Sequence, residues 1–228
     1  MSLGTSTWPD VAAGGGRQIV AVPVGSCEQH GPHLPLSTDS LVAAALCAAL
    51  ADSRDDVLVA APIGVGASGE HHGFAGTLSV GTPFLASYLT ELVRSSRGWS
   101  RGVVFVSGHG GNVDALRTVE RTAADEGDVV SVYMARVRGG DAHAGRTETS
   151  LVLALAPDQV RHDEAVAGCT DPISSIADRL RLDGVASVSP NGVLGDPAGA
   201  TADEGVAVLA EMAGELVARV ASDFGRPQ

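Results

Sequence analysis

The chain has 228 residues, 44% of them hydrophobic, and a formal net charge of −12, which suits one domain, expected over 1–228, with a sizeable core. The arginines do not cluster into a stripe, so nucleic acid is not expected as a partner. All 15 basic residues are arginine, which excludes a Schiff-base lysine and a Walker lysine outright.

QIVAVPVGS (18–26) is a short β-rich run ending at glycine and predicts a buried strand. A helix is expected over 38–51, with Ser37 or Thr38 as its cap. DVLVAAPI (56–63) predicts a second strand, and the glycine-rich 64–81 a long loop. An amphipathic helix is expected over 83–97 and a third strand at GVVFVSG (102–108). Asn112 is placed to cap a helix running to about residue 125, which Gly127 stops. VVSVYMA (129–135) predicts a fourth strand, followed by helices over 147–156 and 202–220. Residues 165–200 carry the weakest pattern. Strands alternating with helices argue an α/β fold, a three-layer sandwich around a mainly parallel sheet. Ligands in such folds sit beyond the carboxyl ends of the strands.

Other classes are disfavoured. Cys27, Cys47 and Cys169 are widely spaced and odd in number, so neither a disulfide framework nor a zinc ribbon is expected. No apolar stretch approaches the ~20 residues that span a membrane, and the start lacks signal-peptide character. A cytoplasmic protein is expected.

The histidines carry the chemistry. Six of the seven (His30, His33, His71, His72, His109 and His143) lie in short glycine-bearing segments, several at equivalent strand ends. Glu28 and His30 are two apart, so both point to one side if the chain is still extended. Asp39 opens the following helix, where the backbone dipole favours a carboxylate; an ordinary first-turn acid is the plain alternative. His109 lies in SGHGGN, and DAHAGRTETS adds His143 and Glu148, the latter also a first-turn acid. Two imidazoles and three carboxylates form a mixed nitrogen and oxygen set, suited to Zn, Mn or Fe(II). Such a set fits two ions that share a carboxylate, and a pair ~3.5–4 Å apart activates water and polarises a carbonyl together. Ser68 in GASGE misses the last glycine of GxSxG, so a serine hydrolase is a poor option.

PVGSCEQHGPHLPLSTD, SGHGGN and HAGRTETS together resemble, in order and separation, three signatures of the creatininase (creatinine amidohydrolase) family, over nearly the whole chain. GASGEHHGFAGTLSVGT, DAHAGRTETSLVLALAP and SPNGVLGDP resemble the family's mycofactocin-system peptidases. The resemblance implies a creatininase-like fold and two divalent metal ions per subunit (Zn, Fe or Mn). It implies Glu28 and His30 on different metals, Asp39 bridging, His109 joining one metal and Glu148 the other. His143 matches the catalytic histidine, the proton shuttle to the leaving nitrogen. Creatininase has an acidic residue where this chain has Gly111, and Glu148 is the expected substitute ligand. Gly110 and Gly111 are candidate oxyanion donors and Asn112 a substrate contact or cap. Glu70 and His71 are expected to line the entrance, and His33 and His72 to be support or rim residues.

The implied substrate is a modified precursor peptide, cut to release its cross-linked, decarboxylated C-terminal Val-Tyr dipeptide. A homo-oligomer, hexameric or similar, is also implied. A hydrolase of a small cyclic amide and a noncatalytic metal-binding assembly component are the alternatives.

Overall fold

The computed structural model describes residues 1–226; the domain expected over 1–228 ends two residues beyond. Four strands, β1 (Ile19–Val24), β2 (Val57–Val59), β3 (Gly102–Ser107) and β4 (Val130–Met134), form one sheet in the order β2-β1-β3-β4, with every pairing parallel. Seven helices accompany them among the described residues: α1 (Trp8–Ala13), α2 (Thr38–Ser53), α3 (Thr82–Ser96), α4 (Val113–Glu126), α5 (Arg146–Leu155), α6 (Ile173–Asp183) and α7 (Ala202–Phe224).

The period of two along each strand divides its side chains between two cores. Ile19, Ala21, Val104 and Val106 face a core built from α2, α5 and α7, around Leu46, Leu50, Leu151 and Leu216. Val20, Val22, Val103 and Phe105 face the opposite core, built from α3 and α4, around Leu85, Leu89, Leu116 and Val119. Helices therefore cover both faces of the sheet, which explains why the strands are apolar throughout. This is the three-layer α/β sandwich expected.

Two local expectations need correction. The second strand spans Val57–Val59 rather than 56–63; Pro62 has no N–H to give a ladder, and after the Ala60 N–H bond to Ala21 the chain rejoins β1 at Ile63. Asn112 does not cap α4 with its side chain. Two helices were not anticipated. α1 is announced by Thr7, whose backbone and hydroxyl both bond the Asp10 carboxylate, with proline in the first turn. α6 lies within the stretch that read weakly, although Ile173, Ile176, Ala177 and Leu180 keep helical spacing. As expected, α4 stops at Gly127, in the left-handed conformation at φ 77°.

Candidate metal centre

All four strands deliver side chains to the carboxyl edge of the sheet. β1 continues through Ser26, Glu28 and His30, all buried. His109 follows β3, while His143 and Glu148 come from the loop after β4 and the first turn of α5. The long loop after β2 brings Glu70 and His71. Asp39, in the first turn of α2, reaches the same point because a glycine, Gly108, follows β3. A Cβ on Gly108 would lie 2.3 Å from the Asp39 carbonyl oxygen, closer than any side chain permits. Ala144 takes the left-handed conformation, φ 53°, which is uncommon for a residue with a side chain; it turns the chain between His143 and Glu148, and its N–H donates to Glu148 Oε2.

The distances describe one cluster. Glu28 Oε1 lies 3.1 Å from His109 Nδ1, 3.4 Å from His71 Nε2 and 3.9 Å from His143 Nδ1. Asp39 sits between two imidazoles, Oδ1 3.3 Å from His30 Nε2 and Oδ2 3.4 Å from His109 Nδ1. Glu148 Oε2 is 3.9 Å from His30 Nε2 and 4.0 Å from His143 Nδ1. Ser26 Oγ donates to Asp39 Oδ2 at 2.6 Å.

Three imidazoles are oriented alike. His30 Nδ1 lies 3.1 Å from the Glu28 carbonyl, His109 Nε2 3.1 Å from that of Ala67, and His143 Nε2 2.8 Å from that of Gln29. Each donates outward to a backbone oxygen, so its other nitrogen faces the carboxylates. This is how metal-ligating histidines are held.

The electrostatics are those of crowded, dry groups. Burial opposes charge on His30, yet the carboxylates of Asp39, Glu148 and Glu28 raise its pKa to about 10. His109 is raised likewise against burial by Glu28 and Asp39. Burial works against the Asp39 charge, but His30 and His109 hold its carboxyl well below the usual range. Burial, aided by the charge on His30, lowers His143 to about 4, and burial with the neighbouring imidazoles lowers His71 to about 2. Glu70 is raised, chiefly by burial.

A divalent ion fits this chemistry. Glu28 is fully buried, and among the described residues neither of its carboxylate oxygens has a hydrogen-bond partner. An ionised carboxylate is costly to bury without compensation. Two triads place nitrogen and oxygen donors within metal-binding reach of one another: Glu28, Asp39 and His109, and His30, His143 and Glu148. A third consists of Glu28, His71 and His143. All are hard or intermediate donors, the set that Zn, Mn and Fe(II) accept.

The cluster opens into a cavity of about 1010 Å³. Gly110, Gly111, Glu70 and His72 line it, with Ile173, Ala177 and Leu180 of α6 as an apolar wall. Glu70 is half-buried, its Oε1 3.5 Å from His109 Nε2. A Cβ on Gly111 would lie 2.4 Å from that same oxygen, so Glu70 occupies the space beside His109 that a side chain at 111 would need.

Several expectations change. His71, expected at the entrance, is among the residues lining the cavity; it is buried there, its Nε2 3.4 Å from Glu28 Oε1. Asn112 was a candidate substrate contact, but it is fully buried. Its amide bonds Ala67 N, Gly25 O and Ser107 Oγ, which ties the loops together and leaves nothing for a ligand. His33 is a buried support residue, its Nε2 2.9 Å from Thr149 Oγ1. Sequence reading did not single out Gln29, Ser26 or α6. The clue for Gln29 was its place between two candidate ligands.

Comparison with known proteins shows the family. The Creatininase family profile, described as creatinine amidohydrolase, matches residues 4–220. The Mycofactocin precursor peptide peptidase of Mycolicibacterium smegmatis is 47% identical over 207 residues, covering 89% of this chain and 84% of the relative. Creatinine amidohydrolase of Pseudomonas putida is 30% identical over 196 residues, 72% of this chain and 75% of the relative. The solved structure named Creatininase Mn superposes with a TM-score of 0.81 at 24% identity, covering 98% of both chains. The chain belongs to the creatininase family.

Proposed function

We propose that the chain is a single-domain, metal-dependent amide hydrolase that cuts the modified mycofactocin precursor peptide, releasing its cross-linked, decarboxylated C-terminal Val-Tyr dipeptide. The observation that carries the hydrolase reading is the fully buried Glu28 carboxylate without a hydrogen-bond partner among the described residues, set against His71, His109 and His143, which line a large cavity. The peptide substrate rests on the 47% identity to the mycobacterial peptidase.

Glu28, Asp39 and His109 would hold one ion, and His30, Asp39 and Glu148 the other, with Asp39 shared. Two divalent ions, drawn from Zn, Fe or Mn, would polarise the scissile carbonyl and lower the pKa of water. His143 faces this point with Nδ1, the nitrogen left free by its bond to the Gln29 carbonyl. It would accept a proton there and pass it to the leaving amine. Gly110 and Gly111 line the cavity beside His109, and their N–H groups would orient the substrate carbonyl. The apolar wall of α6 would take up side chains next to the scissile bond. A homo-oligomer in the cytoplasm is part of the proposal; light scattering tests the assembly.

Creatinine hydrolysis is the second reading, favoured by the 30% identity to the Pseudomonas enzyme. Against it stands the cavity of about 1010 Å³, at the upper end of the ~300–1,000 Å³ usual for small-molecule pockets. The test is to incubate metal-loaded protein separately with modified precursor peptide and with creatinine, following products by mass spectrometry. Release of the dipeptide supports the proposal. Turnover of creatinine alone replaces it, and full metal loading without turnover of either favours a noncatalytic role.

A further inference from the structure

Gln29 lies between two proposed ligands, is itself buried, and binds no ion in any of the candidate triads. Its side-chain amide can be oriented from backbone partners alone. On one side, Gly31 N–H donates to it at 2.9 Å, so the atom there must be oxygen. On the other side, the Gly192 carbonyl lies 3.1 Å away, so the atom there must be the NH₂ group. Reversing the amide would set donor against donor and acceptor against acceptor.

This orientation reaches the imidazoles. The NH₂ group has two protons. One goes to the Gly192 carbonyl, and the other faces His71 Nδ1 at 2.9 Å. His71 Nδ1 must therefore accept, which leaves its proton on Nε2, turned inward to Glu28 Oε1 at 3.4 Å. His143 Nε2 lies 3.1 Å from the same NH₂ group and 2.8 Å from the Gln29 carbonyl. With both amide protons engaged, His143 Nε2 carries a proton and donates to the carbonyl. Its Nδ1 is then the inward lone pair. Two neighbouring rings, with centroids 4.5 Å apart, thus present opposite faces to the site.

We propose that Gln29 is a positioning residue that fixes the tautomers of two histidines at once, holding His71 as an inward hydrogen-bond donor and His143 as an inward acceptor. His71 is accordingly no metal ligand, despite its place in one of the three candidate triads. Its one neutral N–H faces the Glu28 side of the site, where it would meet a substrate carbonyl. Gly192 belongs to the device. A Cβ there would lie 1.8 Å from Gln29 Oε1, on a backbone at φ +81°. This gives a role to the SPNGVLGDP stretch, which supplies no ligand. The inference rests on the hydrolase reading only for its catalytic consequence.

The experiment is nitrogen-15 NMR of the imidazoles in the full-length protein, with and without added Zn²⁺, at pH 7.5. Both His71 and His143 are expected as neutral rings with the proton on Nε2 in the protein without Zn²⁺, and His71 is expected to stay so with it. In Gln29→Glu, the carboxylate cannot donate to His71, so His71 acquires a proton on Nδ1. Gly192→Ala, which displaces the amide from the opposite side, gives mixed tautomers at both rings. Kinetically, Gln29→Glu lowers kcat on the modified peptide by roughly 10–100-fold with KM within about threefold. A His71 bound to Zn²⁺ through Nε2 overturns the proposal. So does a folded Gln29→Glu variant with wild-type tautomers. The tautomers are read without substrate, so absence of peptide cleavage in the wild type would remove the peptidase reading and leave this one standing.

Discussion

Glu28 Oε1 lies 3.1 Å from His109 Nδ1, yet among the described residues no group donates a well-formed hydrogen bond to either Glu28 oxygen. The two residues come from the ends of adjacent parallel strands, β1 and β3. Their meeting sets a carboxylate and an imidazole nitrogen side by side in a dry place. Such an arrangement is poor for a stable core and suited to a cation.

Metal ions should therefore stabilise the fold. Zn²⁺ or Mn²⁺ at about 100 times its Kd should raise stability by about 2.7 kcal/mol per site, seen as an upward shift in thermal melting. Glu28→Ala, His30→Ala and Asp39→Ala should still fold, and elemental analysis should show lost metal. Unchanged stoichiometry in all three would remove the site.

Metal uptake should release protons, because His30, with its pKa raised to about 10, is protonated at neutral pH before an ion binds. Affinity should thus rise with pH towards 10. The folding linkage of the metal-free protein runs the other way. A folded pKa above the unfolded value of about 6.5 gives stability that is complete below pH 6.5 and lost as pH rises through 10. Calorimetry in buffers of different ionisation enthalpy measures the released protons, and melting against pH measures the linkage. Metal affinity independent of pH between 6.5 and 9 would contradict this.

His143→Ala should keep its metal and lose most of its rate, roughly 10²–10⁴-fold. Losing its one side-chain bond to the Gln29 carbonyl should cost only about 0.5–1.5 kcal/mol, a small downward shift in melting. Single-turnover cleavage of the modified peptide, compared with metal content, decides the matter; a normal rate removes the proton-transfer role.

The apolar wall should be felt in substrate capture. Leu180 lines the cavity from α6, and burying a leucine side chain against a ligand is worth about 1.5–3 kcal/mol. Leu180→Asp should lower kcat/KM for the peptide by at least tenfold, mainly through KM, with metal content unchanged. Equal kinetics in both proteins would place the peptide elsewhere.

The sequence alone determined the α/β class and the layer order, because the apolar strands and alternating helices leave few other ways to bury both faces of a sheet. The candidate site residues were also legible: Glu28, His30, Asp39, His109 and Glu148 as expected ligands and His143 as the expected proton shuttle sit at strand ends, helix starts and the loops between them. What the sequence could not state was orientation. That His71 lies against Glu28, that Asn112 ties loops together, and that Glu70 fills the space beside Gly111 all depend on contacts between segments distant in the chain. Gln29 illustrates the division best. Its position between two ligands was visible, but its role depends on Gly192, His71 and His143 arriving from other loops. Hydrogen bonding is directional and pairwise, so only the tertiary structure could decide which nitrogen of each ring faces the site.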